Sequence, residues 1–410
     1  MMHITCVITI AALLYPMYNG AIPLAGVPFS QELMRIAGDM QSRFLHEAPY
    51  ASLVILAFLT FLLVGSKLLP GHLHTGTELR DKTRKVYKCN GLLLLAALLL
   101  AFFAGAHFNL WKATVFADYA ATLAVLYLLL CVALATWLYV SGSAHPDPNI
   151  VHPLSDSAVW NWTMGVTLNP SFFGEDMKFF WLRPSMMGWI MLNIGWAATQ
   201  VNERGSVSHA MLLTQLFNLA YVVDYFYVEA CMTSTWDIIA ENFGFMLVFG
   251  DTMFIQFVFS IPAWLICRQP ADTAPALLDN LSIAVCIATF AVGYFIFRVS
   301  NKQKHDFKAD PACLIWGRPA RTIGGKLLVS GFWGYARHIN YLGDIIIGIA
   351  FGLPAWYGGC GPASFVYPAY LVVLLLHRDW RDDAKCAHKY KELWTEYTNL
   401  VPYRIIPGVY

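Results

Sequence analysis

The sequence predicts an all-α, polytopic membrane protein, on two observations. Apolar residues fill 58% of the 410 positions, charged residues only 13%, and mean hydropathy is +0.52. Soluble domains run at roughly 45–50% apolar and about 25% charged. The apolar residues are also grouped into runs of about 20, the length a helix needs to cross a bilayer. The net charge of +1 gives no global attraction to nucleic acid, so no such partner is expected. The nine cysteines include no CxxC pair, which indicates neither a disulfide framework nor a metal site.

Candidate spans lie near 3–18, 50–66, 91–110, 118–140, 185–200, 209–228, 244–267, 277–297, 341–357 and 362–377, about ten in all. The first apolar run lacks a basic n-region and reads as a short span rather than a signal peptide. Charge placement orients the set. The 67–88 connection carries Lys67, Arg80, Lys82, Arg84, Lys85 and Lys88. The 298–337 connection carries Arg298, Lys302, Lys304, Lys308, Arg318, Arg321, Lys326 and Arg337. The connections near 111–117, 201–208 and 268–276 hold only Lys112, Arg204 and Arg268. Basic loops stay in the cytoplasm, so the polar chemistry is expected on that face. Residues 1–297 are read as the transmembrane, ligand-access part and 298–410 as a cytoplasm-facing C-terminal part of one integrated membrane domain.

Several polar features break the apolar background. His72 and His74 form an HxH in a loop expected to be solvated, with no third metal ligand placed by spacing. Arg183-Pro184 is expected at the first turn of a span, where proline is well tolerated. Tyr221, Asp224 and Tyr225 share one helical face near the end of the sixth span. An acid at membrane depth is by default a functional candidate, while Glu229 equally fits an interfacial carboxylate facing cytoplasmic water. Asp237 and Asp251 lie just beyond, where an Asp caps many helix starts.

The densest stretch is LLVSGFWGYARHINYLGD at 327–344. Gly331 and Gly334 permit close backbone approach, Phe332 and Trp333 offer flat faces, and Arg337 offers a planar cationic fork. A nucleotide held at the membrane edge and an interfacial anchor both fit these residues.

FRVSNKQKHDFK at 297–308, ACLIWGR at 312–318, the 327–344 stretch, HRDWRDDAKCAHKYKELWTEY at 377–397 and the ending VPYRIIPGVY together resemble the sterol reductase family. That family includes Δ14-sterol reductases, 7-dehydrocholesterol reductases, C-24(28) reductases and the membrane domain of lamin B receptor. The likeness continues through LLPG at 68–71, YKCNG at 87–91, NP at 169–170, RP at 183–184 and YVVD at 221–224. It implies a multi-pass enzyme that uses NADPH to saturate a sterol double bond. Membrane lipid and sterol are its expected partners; its expected location is the endoplasmic reticulum in a eukaryote or the inner membrane in a bacterium. Carried onto matching positions, the implied cofactor contacts are Lys304, Lys308, Leu328, Trp333, Asn340, Tyr341, Arg378, Asp382, Cys386, Ala387, His388, Lys389, Tyr390 and Tyr397. Arg337 and His338 fall outside that set and read as its supports. Ser171 and Ser185 stand where the family's motifs usually place Arg and Gly, and Lys308 where some members have Arg.

The residues make physical sense of this list. Lys304 and Lys308, four apart on a helix, project together toward phosphates. Trp333 is suited to stacking on a planar ring. Arg378 and Asp382, also four apart, either pair with each other or place the Asp toward the nicotinamide amide. No Rossmann glycine fingerprint is present. An isolated sterol double bond needs protonation before hydride can add, so the site needs an acid in a dry cavity. Tyr221 and Asp382 are assigned the proton-donating side, with Asp224 or Glu229 as neighbours. The C-terminal motifs lie nearest the 7-dehydrocholesterol reductase subgroup, which makes the Δ7 bond the first expectation and Δ14 or C-24(28) the alternatives. Isoprenylcysteine-type methyltransferases, which share an Arg-His-x-x-Tyr-like motif and hold S-adenosylmethionine, are the competing class. A transporter would show paired broken helices, and no such repeat is visible.

Overall fold

The computed structural model describes residues 29–151, 153–269 and 278–410, with side chains from residue 41 onward. The expected span at 3–18 lies outside the described residues. The other nine candidate runs fall on helices. Five helices among the described residues are long and apolar enough to cross a membrane: Gln41–Leu68, Ala120–Ala144, Phe245–Arg268, Asn280–Ala309 and Ile339–Cys360. The chain is an integral membrane protein.

Contacts divide the described chain into two compact units. One holds residues up to Val207 together with Asn218–Arg268, and the other holds Ser208–Phe217 with the residues from Gln269 onward. The expected boundary at 297/298 falls inside a continuous helix, Asn280–Ala309.

In the first unit, α1 (Phe29–Leu68) runs into an antiparallel hairpin of β1 (His72–Glu78) and β2 (Arg84–Cys89). The solvated loop expected here is thus a paired ribbon, with His74 opposite Tyr87 and a bulge between Thr75 and Glu78. Asp81 closes its turn by accepting bonds from the Thr83 amide at 3.0 Å and hydroxyl at 2.6 Å. Then come α2 (Gly91–His107), α3 (Ala120–Ala144), α4 (Met177–Arg204), the part of α5 (His209–Tyr227) from Asn218 onward, and α6 (Phe245–Arg268). Helix α4 is the axis of this unit, buried along most of its length, with Met187 and Trp189 wholly enclosed. Pro184 lies inside α4, not in its first turn. The helix starts seven residues earlier because Asp176 caps it, accepting from Phe179 N–H at 3.1 Å.

In the second unit, α7 (Asn280–Ala309) packs against α8 (Ile339–Ala355). Two small hairpins, Leu314–Ile315 with Arg318–Pro319 and Thr322–Ile323 with Leu327–Leu328, lie between them in sequence. A 3₁₀ turn at Gly331–Gly334 follows, and α9 (Val366–Tyr390) and α10 (Glu392–Leu400) complete the unit. Apolar burial drives helix association weakly in lipid, so close backbone packing by small residues carries more of it. Gly293 and Gly343 are such a contact. A Cβ on Gly343 would lie 2.5 Å from Phe297 N and 3.0 Å from Gly293 O. Gly343→Leu should therefore separate α7 from α8 and cost about 2 kcal/mol. Thermal unfolding of purified protein checks this; an unchanged midpoint contradicts the contact.

Candidate functional site

In the second unit, the side chains the sequence singles out converge where α7, the 3₁₀ turn, the start of α8 and the cytoplasm-predicted end of α9 meet. Gly331, at φ +63°, turns the chain so that Trp333 points inward. A Cβ there would strike Gln303 and Ile315, at 2.5 and 2.6 Å. Trp333 is 2% exposed, donates its indole N–H to Ser300 O at 2.8 Å, and packs with Phe307, Ile315 and Leu328. Lys304 Nζ covers its ring at 4.1 Å. Trp333 is thus a cation–π platform beneath Lys304, rather than the open stacking face the sequence suggests. Lys304 lies within electrostatic reach of Lys308, Asp382 and Cys386, and Lys308 is exposed one turn on.

Asn340 donates to Asn301 Oδ1 at 3.3 Å, leaving its own buried Oδ1 without a partner. Tyr341 stacks on His338, with ring centroids 4.7 Å apart. His338 Nε2 stands 3.4 Å from Asp379 and 3.8 Å from Asp382. Arg378 sits one turn back, within electrostatic reach of Asp344. The run 386–390 splits by helical face. Cys386 and Tyr390 pack on the cluster of Ile323, Val329, Trp394, Tyr397 and Val401, whereas Ala387, His388 and Lys389 are exposed. Burial, then the Asp382 charge, pushes the Cys386 thiol up to about 11, so it acts as a neutral packing group. Burial likewise raises the Tyr397 phenol above its usual range.

Burial, reinforced by the Lys304 ammonium, holds His338 down to about 4 against the pull of Asp382. The unfolded chain binds a proton here near pH 6.5. Stability from the neutral imidazole is therefore present above about pH 6.5 and lost as pH falls toward 4. His338→Gln should flatten the decline in melting temperature between about pH 7 and pH 5. An unaltered slope contradicts a neutral His338.

Asp379, Asp383 and Arg404, which sequence reasoning missed, form a clasp beneath this site. Arg404 bridges Asp379 at 2.9 Å and Asp383 at 3.0 Å. Arg337 bonds Asp383 at 2.8 Å, and Tyr410 OH donates to Asp379 at 3.1 Å. The Arg337 and His338 amides donate to the Tyr403 and Arg404 carbonyls at 3.0 and 2.7 Å. Arg337 and His338 thus join the C-terminal segment to α9. The available signal was two acids four apart on α9, about a quarter turn round the helix from Arg378 and Asp382.

In the first unit, Tyr221, Asp224 and Tyr225 are half-buried along one stretch of α5, and Tyr221 meets Trp189 edge-on at 6.1 Å. Glu229 does not face water. It is buried, 3.1 Å from Arg183 Nε and 2.8 Å from the Gly91 amide. Arg183 also donates to Lys88 O at 2.6 Å and lies over Phe179. A carboxylate so engaged ties α2, α4 and the end of α5 together, which explains its burial better than a relay role does. Neither Asp237 nor Asp251 is a cap, since Thr235 and Gly244 hold the cap positions. Ser171, lacking the family's Arg, has Lys85 Nζ at 3.4 Å, a cation brought from β2 that also bonds Asp176 at 2.8 Å. Ser185 is fully buried with no partner for its hydroxyl, as expected of a position that suits glycine.

A family model described as "Ergosterol biosynthesis ERG4/ERG24 family" matches residues 23–410. The chain is 42% identical over 375 residues to an Arabidopsis thaliana protein named Delta(14)-sterol reductase, covering 91% of this chain and 99% of that one. It is 36% identical to the mouse Delta(14)-sterol reductase TM7SF2, covering 88% of this chain and 86% of the mouse protein. A Methylotuvimicrobium alcaliphilum protein of the same name is also 36% identical, covering 83% and 79%. These relatives are all named for the Δ14 bond, whereas the sequence motifs made Δ7 the first expectation. The C-terminal motifs that pointed to Δ7 lie in the second unit, among the residues that the resemblance assigns to the cofactor. The match also sets the reductase above the methyltransferase reading. The chain belongs to the ERG4/ERG24 family of sterol reductases, oxidoreductases that act on a carbon–carbon double bond.

Proposed function

We propose that this chain is an NADPH-dependent Δ14-sterol reductase. The single observation that carries the choice of bond is the Δ14 name shared by plant, bacterial and mouse relatives, the first at 42% identity over nearly its whole length. The polar groups of the second unit fit a polyanionic nucleotide. Lys304, Lys308, Arg378 and Lys389 supply cations, while Asn340 Oδ1 and Gln303 Nε2 are buried atoms awaiting partners. In this reading Lys304 and Lys308 take phosphate, and Asn340, Tyr341 and Asp382 orient the nicotinamide end. When bound, NADPH supplies hydride to a carbocation.

The protein's own task is to make that cation. An acid on the Tyr221 or Asp382 side delivers a proton to ring carbon 15, placing positive charge on the tertiary ring-fusion carbon 14. Aromatic and carboxylate groups around it stabilise the charge, and the apolar surroundings exclude the water that would quench it. By the positive-inside pattern the cofactor side faces the cytoplasm, in the endoplasmic reticulum if the cell is eukaryotic. Expression in cells blocked at Δ14 reduction tests the reading: gas chromatography should show 14-ene sterols disappearing. Persistence of those sterols beside the expressed protein would overturn it.

Replacing both Lys304 and Lys308 by alanine should weaken NADPH binding about 10- to 100-fold, from the loss of charge-assisted bonds. NADH binding should change little. Equal losses for the two nucleotides would remove the lysines from 2′-phosphate recognition.

A further inference from the structure

In the first unit, an apolar cavity of about 180 Å³ lies between α1 and the start of α4. Its wall includes Leu59 and Leu63 of α1, Phe180 and Trp181 of α4, and Phe172 and Glu175 of a small hairpin. The proposed reaction uses none of these residues. An apolar cavity of about 150 Å³ holds one benzene-sized molecule. This cavity is therefore too small for a four-ring sterol and suits a short stretch of hydrocarbon chain.

The hairpin pairs Ser171–Phe172 with Glu175–Asp176. At its tip Phe173 takes φ +49°, a conformation that is unfavourable for a bulky side chain. The turn leaves Phe172 and Phe173 exposed, with their rings 4.3 Å apart. Exposed aromatics beside a span belong at the lipid interface.

The rim of the cavity is charged. Leu59, Leu63 and Lys67 follow at four-residue intervals along one face of α1, which places Lys67 one turn beyond the cavity at the end of the span. The Lys67 ammonium donates to Phe173 O and lies 6.0 Å from the Phe173 ring. Two of its three N–H donors remain for other oxygens. Lys88 Nζ donates to Lys67 O at 2.7 Å, so a second cation stands beside the first. Glu175 sits two residues beyond the carbonyl that Lys67 grips, and it contributes a carboxylate to a largely apolar wall. Among the described residues no hydrogen bond or ion pair reaches Glu175.

We propose that this cavity binds one membrane phospholipid, with part of an acyl chain between α1 and α4. Its phosphate meets Lys67 and Lys88, and a primary ammonium headgroup meets Glu175. A quaternary ammonium has no N–H to give the carboxylate, and an anionic headgroup would be repelled by it. The occupant is therefore a phosphatidylethanolamine. The proposal stands on the membrane location alone and is independent of which sterol bond is reduced.

The test strips the purified full chain of lipid in detergent and titrates it with phosphatidylethanolamine, phosphatidylcholine or phosphatidylglycerol of matched chains. Native mass spectrometry counts the bound lipid, and thermal unfolding follows the protein. One phosphatidylethanolamine per chain should be retained, raising the melting midpoint by about 3 °C at saturation. The other two lipids should bind about 10-fold more weakly. Glu175→Gln should erase that preference, and Lys67→Glu should weaken all three lipids about 10-fold. Leu63→Trp, which fills the cavity, should abolish retention; Glu175→Gln leaves the packing intact and decides the matter where Leu63→Trp does not fold. Equal binding of the three lipids, or a preference that survives Glu175→Gln, overturns the proposal. Displacement of the lipid by one 14-ene sterol per chain also overturns it and gives the cavity to substrate. No turnover is read, so each of these failures leaves the reductase reading intact.

Discussion

Asp379→Asn is expected to cost about 3 kcal/mol of stability and to loosen the C-terminal end of α9. Asp379 is 1% exposed and takes Arg404 at 2.9 Å, Tyr410 OH at 3.1 Å and His338 at 3.4 Å. Removing one member of a buried charged network strands the others, and that loss runs to about 3–5 kcal/mol. Asparagine keeps one acceptor, which places the expectation at the lower end. Asp383, whose side chain is 26% exposed, also binds Arg337 and Arg404. Water can replace part of that pair, so Asp383→Asn should cost less. Thermal unfolding of both variants supplies the comparison. Nucleotide binding should weaken with Asp379→Asn, because the clasp holds His338 and, through its stacked ring, Tyr341. Equal, small losses for both variants would contradict the clasp as described.

Asp382→Asn should lower turnover on the order of 100-fold while leaving melting temperature nearly unchanged. The contrast with its neighbour is the point. Asp379 is enclosed by donors, whereas Asp382 is partly exposed and stands 3.8 Å from His338 within reach of the Lys304 charge. One residue holds the helix in place and the other is available to chemistry. Purified Asp382→Asn protein with near-normal turnover removes it from the reaction.

Helical content was legible because apolar runs of about 20 residues have few alternatives in a membrane, and five of the expected runs fall on helices long and apolar enough to cross one. Polar partnerships were less so. Glu229 reads as an interfacial acid because its partners, Arg183 and Gly91, are 46 and 138 residues away in the chain. The β1–β2 ribbon was hidden by its charged residues, which dominate a composition-based reading of a segment whose strand signal is alternation. Trp333 reads as an open stacking face in the sequence, and its face could not be assigned without knowing that Lys304 covers it. Asp379 and Asp382 lie three apart in one acidic run, and only their contacts tell clasp from candidate acid.

In the proposed reaction a solvent-derived proton and an NADPH-derived hydride add across the Δ14 bond of a sterol. The most direct test incubates purified protein with a 14-ene sterol and NADPH deuterated at the transferable position, in ordinary water, and locates the label by mass spectrometry and NMR. The expected product carries one deuterium on ring-fusion carbon 14 and none on carbon 15. A reversed experiment in deuterium oxide should place the label on carbon 15. An untouched 14-ene sterol beside a consumed 7-ene sterol, or a saturated product without deuterium from the cofactor, would contradict the account.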